Sequence, residues 1–208
     1  GVDWGWLKFR PAKIERLKED NDKIAYLAVD QVKRLVEEAR LDRDPRMYPF
    51  VMIAAGTAMR KMEVLSIRKE HIDFERLLIL VPKAKAGMRE QPITKQLAAF
   101  LRWYVNTLPD NTPWLFPFST SRTGHSVEVR NSFRRVVAAA GLDPDVIVRH
   151  TLRHTAITHL VQAGVDLPTV KRISGHKTLI MVERYAHQNG EPIQAAMDVL
   201  DDRYGELG

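Results

Sequence analysis

Near the C-terminal end of the chain, His150-Thr-Leu-Arg153-His154 is followed by Gly175-His176 and then by Tyr185. Imidazoles, a guanidinium and a phenol thus fall within a short span. A phosphodiester requires these groups if it is to be attacked without a metal. An arginine grips a phosphate through two parallel charge-assisted hydrogen bonds. Histidine donates to the remaining oxygens or manages a proton near neutral pH, and tyrosine serves as a covalent nucleophile. A chain in which these side chains converge can cut a phosphodiester backbone and stay attached to the cut end.

The elements that must position them read as mostly helical. From Leu27 the apolar residues Val29, Val32, Leu35, Val36 and Ala39 fall at helical spacing, with Lys33, Arg34, Glu37 and Glu38 opposite. The turn Asp42 to Pro45 ends that helix. A buried helix follows through Phe50 to Ala58, and a short one carries Lys61 to Ile67. Leu77 to Val81 is a continuous apolar run, and Gln91-Pro-Ile93 would be the returning strand across the turn Lys83-Ala-Lys85-Ala-Gly87. Pro92 has no amide hydrogen to donate, which restricts that second strand to an edge. Thr94 caps a helix to about Asn106. Pro109 to Pro117 is loop, and Ser126 opens a helix that ends at Gly141 and carries Arg130, Arg134 and Arg135.

The last third reads as three helices, Leu152 to Ala163, Pro168 to Ser174 and Thr178 to about His187, the first two stopped by Gly164 and Gly175. A final amphipathic piece, about 192–204, presents Ile193, Ala196, Met197 and Leu200 on one side. The fold class is mainly α with a small antiparallel β-hairpin or sheet, α+β. Residues 1–26 lack sustained periodicity and read as a linker or an N-terminal arm.

At 208 residues, with 45% hydrophobic content, the chain is long enough for one well-buried core. The formal charge of +6 is compatible with a polyanionic partner but is weak evidence for one. There is no cysteine, hence no disulfide or thiolate chemistry, and a reducing compartment is expected. No segment approaches the roughly 18 apolar residues of a membrane span.

Taken singly, most of these polar residues have ordinary explanations. A lone arginine in a helix is usually solvated or ion-paired. Tyr26, Tyr48, Tyr104 and Tyr204 read as packing or surface residues, and His71 and His125 as loop residues. His154, next to Arg153, would point elsewhere on its helix and make a structural hydrogen bond, and His187 is similar. A metal site among His150, His154 and His159 is disfavoured: no carboxylate intervenes and Arg153 would repel a cation.

Three blocks together change this reading: Thr57-Ala-Met-Arg60-Lys-Met-Glu63-Val-Leu-Ser-Ile67, the turn at Lys83 to Gly87, and the span from His150 to Glu183-Arg184-Tyr185-Ala-His187. In this order and at these separations the chain resembles the catalytic domain of the tyrosine recombinase (phage integrase) family, over about Leu27 to His187. The resemblance implies a tyrosine recombinase catalytic-domain fold over 27–208, without the N-terminal core-binding domain such enzymes usually carry. It implies that Arg60 and Arg153 clamp the scissile phosphate and that Lys85 protonates the departing 5′-hydroxyl. His150 would contact the phosphate and help move the tyrosine proton, and His176 would donate to a phosphate oxygen. Tyr185 would form a 3′-phosphotyrosyl link, and Glu63, one turn from Arg60, would hold that guanidinium. Lys83 competes with Lys85. Lys85 is favoured because it directly precedes the turn pair Ala86-Gly87, as the family's lysine does.

No cofactor or metal is implied. The expected partner is double-stranded DNA, with self-association into a dimer or tetramer on it, and the expected location is cytoplasmic, bacterial or phage, and nucleoid-associated. The final helix would pack on its own domain or on a neighbouring protomer. The alternatives are a type IB topoisomerase-like nicking-closing enzyme and an inactive basic DNA-binding module. Against the first stands the His150-to-Tyr185 pattern; against the second stand six competent side chains at the catalytic positions. The sequence departs from the family pattern at Ala58, often Gly; at Ala28, where a Thr would cap a helix now expected to fray; and at Val182, often Thr.

Overall fold

The computed structural model describes residues 24–82 and 87–186, together with Asp198 and Asp202. Helix α1 (Val29–Leu41) follows an extended entry. Ala28 offers no capping side chain, yet the start is tied down. Its amide donates to Gln31 Oε1 at 2.8 Å, and the Leu27 amide donates to Thr155 Oγ1 at 3.0 Å. Those bonds anchor the residues that lead into α1, while the amides of its first turn, which a Thr cap would receive, have no side-chain acceptor from the cap position. Leu35 and Ala39 are buried and Val32 and Val36 pack beside them, whereas Val29 lies off the face at 60% exposure.

Helix α2 (Met47–Thr57) is the central element, touching α1 and the later helices over Lys95–Thr107, Arg130–Ala139 and Arg149–Gln162. Its Phe50, Val51 and Ile53 are fully buried, and each contributes about 1.5–3 kcal/mol by leaving water. Being apolar on every side, it must be enclosed on every side. Short α3 (Lys61–Leu65) follows, then a single 3-10 turn at Lys69–His71.

Strands β1 (Ile72–Asp73), β2 (Leu78–Val81) and β3 (Arg89–Pro92) form one antiparallel sheet in the order β1-β2-β3, with Ile79 opposite Gln91 and Leu78 opposite Pro92. The hairpin stands as the sequence predicts, and Pro92 does lie on an edge strand. Two-residue β1 has too short a pattern to be read from sequence. The turn residues 83–86, and with them Lys83 and Lys85, fall outside the described residues.

Helix α4 (Lys95–Thr107) is capped by Thr94, whose hydroxyl accepts from the Leu97 amide at 3.1 Å. Helix α5 (Arg130–Ala139) begins four residues later than the sequence suggests. Ser126 is not its cap: its amide pairs with the Phe116 carbonyl and its hydroxyl donates to the Glu128 carbonyl. Arg135 makes two 2.7 Å hydrogen bonds to Asp42, and Arg134 one of 2.8 Å to Asp145, so these side chains hold α5 to its neighbours.

Helices α6 (Arg149–Gln162), α7 (Leu167–Ser174) and α8 (Ile180–Glu183) close the described fold. A second, small apolar cluster joins them through Ala58, Ile157, Val161, Val170, Val182 and Tyr185, with Ile24 from the entry segment. Asp198 and Asp202 are helical; the rest of the expected C-terminal piece, His187 and residues 1–23 fall outside the described residues. No helix among the described residues is long and apolar enough to cross a membrane.

Candidate active site

Helix α2 ends at Ala58, which takes the left-handed conformation (φ 56°, ψ 18°). An L-residue is disfavoured there, and glycine is the unstrained choice. The turn aims the Ala58 carbonyl at α6, where Arg153 Nη1 donates to it at 2.6 Å. Two residues on, Arg60 stands at the N-cap of α3. Its amide donates to Glu63 Oε2 at 3.0 Å and its guanidinium to Glu63 Oε1 at 3.1 Å. Glu63 therefore holds Arg60, as the one-turn spacing implies. It also accepts from Arg89 of β3 at 2.9 Å. Burial pushes the Glu63 carboxyl up, but the Arg60 amide and the Arg89 charge outweigh it, so the acid stays ionised.

Arg89 is a residue the sequence does not single out. Its guanidinium lies against Gly175, where a Cβ would come within 2.7 Å of Nε, and it donates to the Ile173 carbonyl. Arg60 reaches the Gly175 carbonyl at 3.3 Å. The α7 terminus, where Gly175 is left-handed (φ 67°), is thus packed directly onto the arginine pair. That fixes the next residue, His176.

His176 Nε2 lies 3.1 Å from Arg153 Nη2, and its Nδ1 lies 2.8 Å from Ser174 Oγ. A guanidinium only donates. Nε2 must therefore accept, and the Nδ1 hydrogen goes to Ser174. Burial, then the charges of Arg153 and Arg60, push the His176 pKa down to about 4, so the ring is neutral. Burial and Arg60 lower Arg153 to about 10, which leaves it charged at neutral pH.

Tyr185 is buried at 1% exposure. Its hydroxyl lies 2.6 Å from His154 Nδ1, and its ring centroid lies 6.4 Å from that of His176. His154 does not point away from the site, contrary to the sequence reading. Neighbours on a helix project about 100° apart, and the site wraps α6 widely enough for Arg153 to face Ala58 while His154 faces the segment after α8. His150, in the first turn of α6, sets its ring edge-on to that of His154 with centroids 4.6 Å apart. Burial raises the Tyr185 pKa and outweighs the lowering by Arg184 and Arg153. The resting Tyr185 side chain is a phenol, not a phenolate.

Five of the six residues singled out by sequence (Arg60, His150, Arg153, His176 and Tyr185) thus gather around α6, and the sixth, Lys85, falls outside the described residues. Sequence reasoning missed the Ala58 carbonyl, Arg89, Ser174 and the His154 contact. Ala58 left a trace as a position where glycine is often found, and His154 as a residue expected to make a hydrogen bond, though not to Tyr185.

The chain is similar to known proteins. The chain is 26% identical over 196 residues to a putative integrase of Pseudomonas phage Pf1, covering 93% of this chain and 54% of that protein. It is 28% identical over 202 residues to the tyrosine recombinase XerA of Thermococcus kodakarensis, covering 95% and 68%. The Tn1549 transposon integrase in complex with circular intermediate DNA has the same fold, with a TM-score of 0.72 at 20% identity, covering 89% of this chain and 69% of that one. The chain spans between about half and two-thirds of these relatives' lengths. The family's sequence profile matches residues 25–191, from the entry to α1 to just past Tyr185 and so across every element that carries the site, and the chain belongs to the phage integrase family.

Proposed function

We propose that this chain is the catalytic domain of a site-specific DNA recombinase or integrase, which cleaves and rejoins DNA through a 3′-phosphotyrosyl intermediate without metal or ATP. The observation that carries it is the convergence of a buried tyrosine with histidines and arginines from separate segments: Arg60 before α3, His150, Arg153 and His154 on α6, and His176 after α7. Membership of the family supports the same reading.

In this mechanism Arg60 and Arg153 bind the non-bridging oxygens of the scissile phosphate and stabilise the charge of the pentavalent transition state. Removing one such preorganised donor costs roughly 3 kcal/mol, about a hundredfold in rate, so guanidiniums and an imidazole supply the electrostatics another nuclease takes from a divalent ion. His176 gives its hydrogen bond to a phosphate oxygen once its ring turns from accepting to donating. His150 contacts the phosphate. The Tyr185 oxygen attacks phosphorus, the bond to the 5′-oxygen breaks, and Lys85 protonates that oxygen as it leaves. The phosphotyrosyl ester keeps the bond energy, so a new 5′-hydroxyl can displace the tyrosine without ATP. Double-stranded DNA is the substrate, and the chain acts there as a dimer or tetramer.

The test is incubation with a randomised pool of nicked suicide duplexes, followed by a denaturing gel. A covalent protein–DNA band that disappears in Tyr185→Phe is the expected result. Absence of any adduct, or one untouched by that substitution, would sink the proposal.

A further inference from the structure

The geometry points to His154 as the catalytic base that takes the proton from Tyr185, a role that leaves His150 to the phosphate. This rests on the proposed strand-cleavage reading and assigns one step within it.

The argument begins with the state of the nucleophile. Tyr185 is enclosed in the small apolar cluster with Ala58, Ile157, Val161, Val170 and Val182. Its phenol is therefore held protonated, and attack requires a partner that removes the proton. A base must stand within hydrogen-bond reach of the proton it abstracts. His154 Nδ1 stands 2.6 Å from the hydroxyl oxygen. His150 packs edge-on against the far partner of that bond, the His154 ring, with centroids 4.6 Å apart.

His154 is also in the right charge state. Burial first, then His150, Arg184 and Arg153, push its pKa down to about 4, so the ring is a neutral acceptor across the neutral range. With its own hydrogen on Nε2, the Nδ1 lone pair receives the Tyr185 hydrogen. During cleavage that proton passes to Nδ1 as the oxygen–phosphorus bond forms and the 5′-oxygen leaves. During rejoining the incoming 5′-hydroxyl returns its proton to the general acid as it displaces the tyrosine, whose oxygen recovers its own proton from His154. No other reactant is consumed. Two cationic neighbours, Arg153 and Arg184, make the imidazolium transient, which favours return of the proton.

The test uses a nicked duplex selected from the pool by the wild-type chain, prepared with an ordinary 5′-oxygen or with a bridging 5′-sulfur at the scissile position. Sulfur departs without being protonated, so the second substrate isolates activation of the nucleophile. His154→Ala should slow single-turnover adduct formation by about 10²- to 10⁴-fold, equally on both substrates, with partial recovery on adding imidazole. His154→Asn keeps a polar atom near the Nδ1 position but cannot hold a proton, and should be similarly slow while melting and binding DNA like the wild type. An Asn variant within about threefold of wild type, or an Ala defect cured by the sulfur substrate, would overturn the assignment and leave the recombinase reading intact. A wild-type chain that forms no adduct with either substrate removes both. Independently of DNA, ¹⁵N spectra of the histidines, assigned by loss of a signal in His154→Asn, should show Nδ1 unprotonated and Nε2 protonated; the opposite tautomer refutes the inference.

Discussion

The Arg153 guanidinium is fastened to the carbonyl of Ala58, 2.6 Å away across 95 residues of sequence. The carbonyl reaches it because Ala58 adopts a left-handed conformation at the end of α2, and the arginine is 2% exposed. One Nη is occupied by this bond and the other by His176. The guanidinium plane is thereby set before any phosphate arrives. A lysine cannot make both bonds in one plane. Arg153→Lys should therefore lower the rate of adduct formation by about a hundredfold or more while leaving a folded protein, as single-turnover kinetics and thermal melting will show.

Gly175 lies where Arg60, Arg89 and α7 meet. Its φ of 67° disfavours any side chain, and an added Cβ would lie 2.7 Å from the Arg89 guanidinium. Gly175→Ala should cost about 1–2 kcal/mol from the left-handed backbone alone, measured by urea unfolding. It should also displace Arg89 from Glu63 and loosen Arg60, so that adduct formation slows more than the stability loss explains. A variant with wild-type kinetics would show that Arg89 is not coupled to the phosphate clamp.

Two half-buried histidines make stability sensitive to mild acid. His154 and His176 have pKa values of about 4 in the folded chain, against the ordinary 6.5 when unfolded. The unfolded chain therefore binds more protons between these values. Their neutral-state contribution is complete above pH 6.5 and is lost as the pH falls toward 4. Calorimetric unfolding at pH 5.5 in buffers of different ionisation heat should report uptake of about two protons from these residues. Melting temperature should fall from pH 7 to pH 5, before most carboxylates titrate.

DNA binding should be dominated by phosphate contacts. With six contacts, affinity should fall by about a thousandfold between 50 and 200 mM salt, measurable by fluorescence anisotropy on a fixed duplex. Tight binding that ignores salt would contradict this. Arg134 and Arg135 are tied to Asp145 and Asp42, so replacing them by Ala should reduce stability more than it reduces the salt slope.

The amino-acid sequence by itself determined the helical class, the hairpin with Pro92 at its edge and the Thr94 cap, which follow from short-range rules: periodicity, proline's missing donor and a hydroxyl at a helix start. It offered Arg60, Arg153, His176 and Tyr185 as candidates through resemblance to a family. Tertiary structure alone decided what each group meets. It turned Arg134 and Arg135 toward acidic partners, started α5 at Arg130 instead of Ser126, and brought Arg89 of β3 onto Glu63. It also turned His154 onto the phenol, a contact across 31 residues that no spacing rule contains. Protonation was settled there too. The arginines around Tyr185 suggest a phenolate, but desolvation is a property of the packed interior, and within the small cluster around α6 it outweighs their charge.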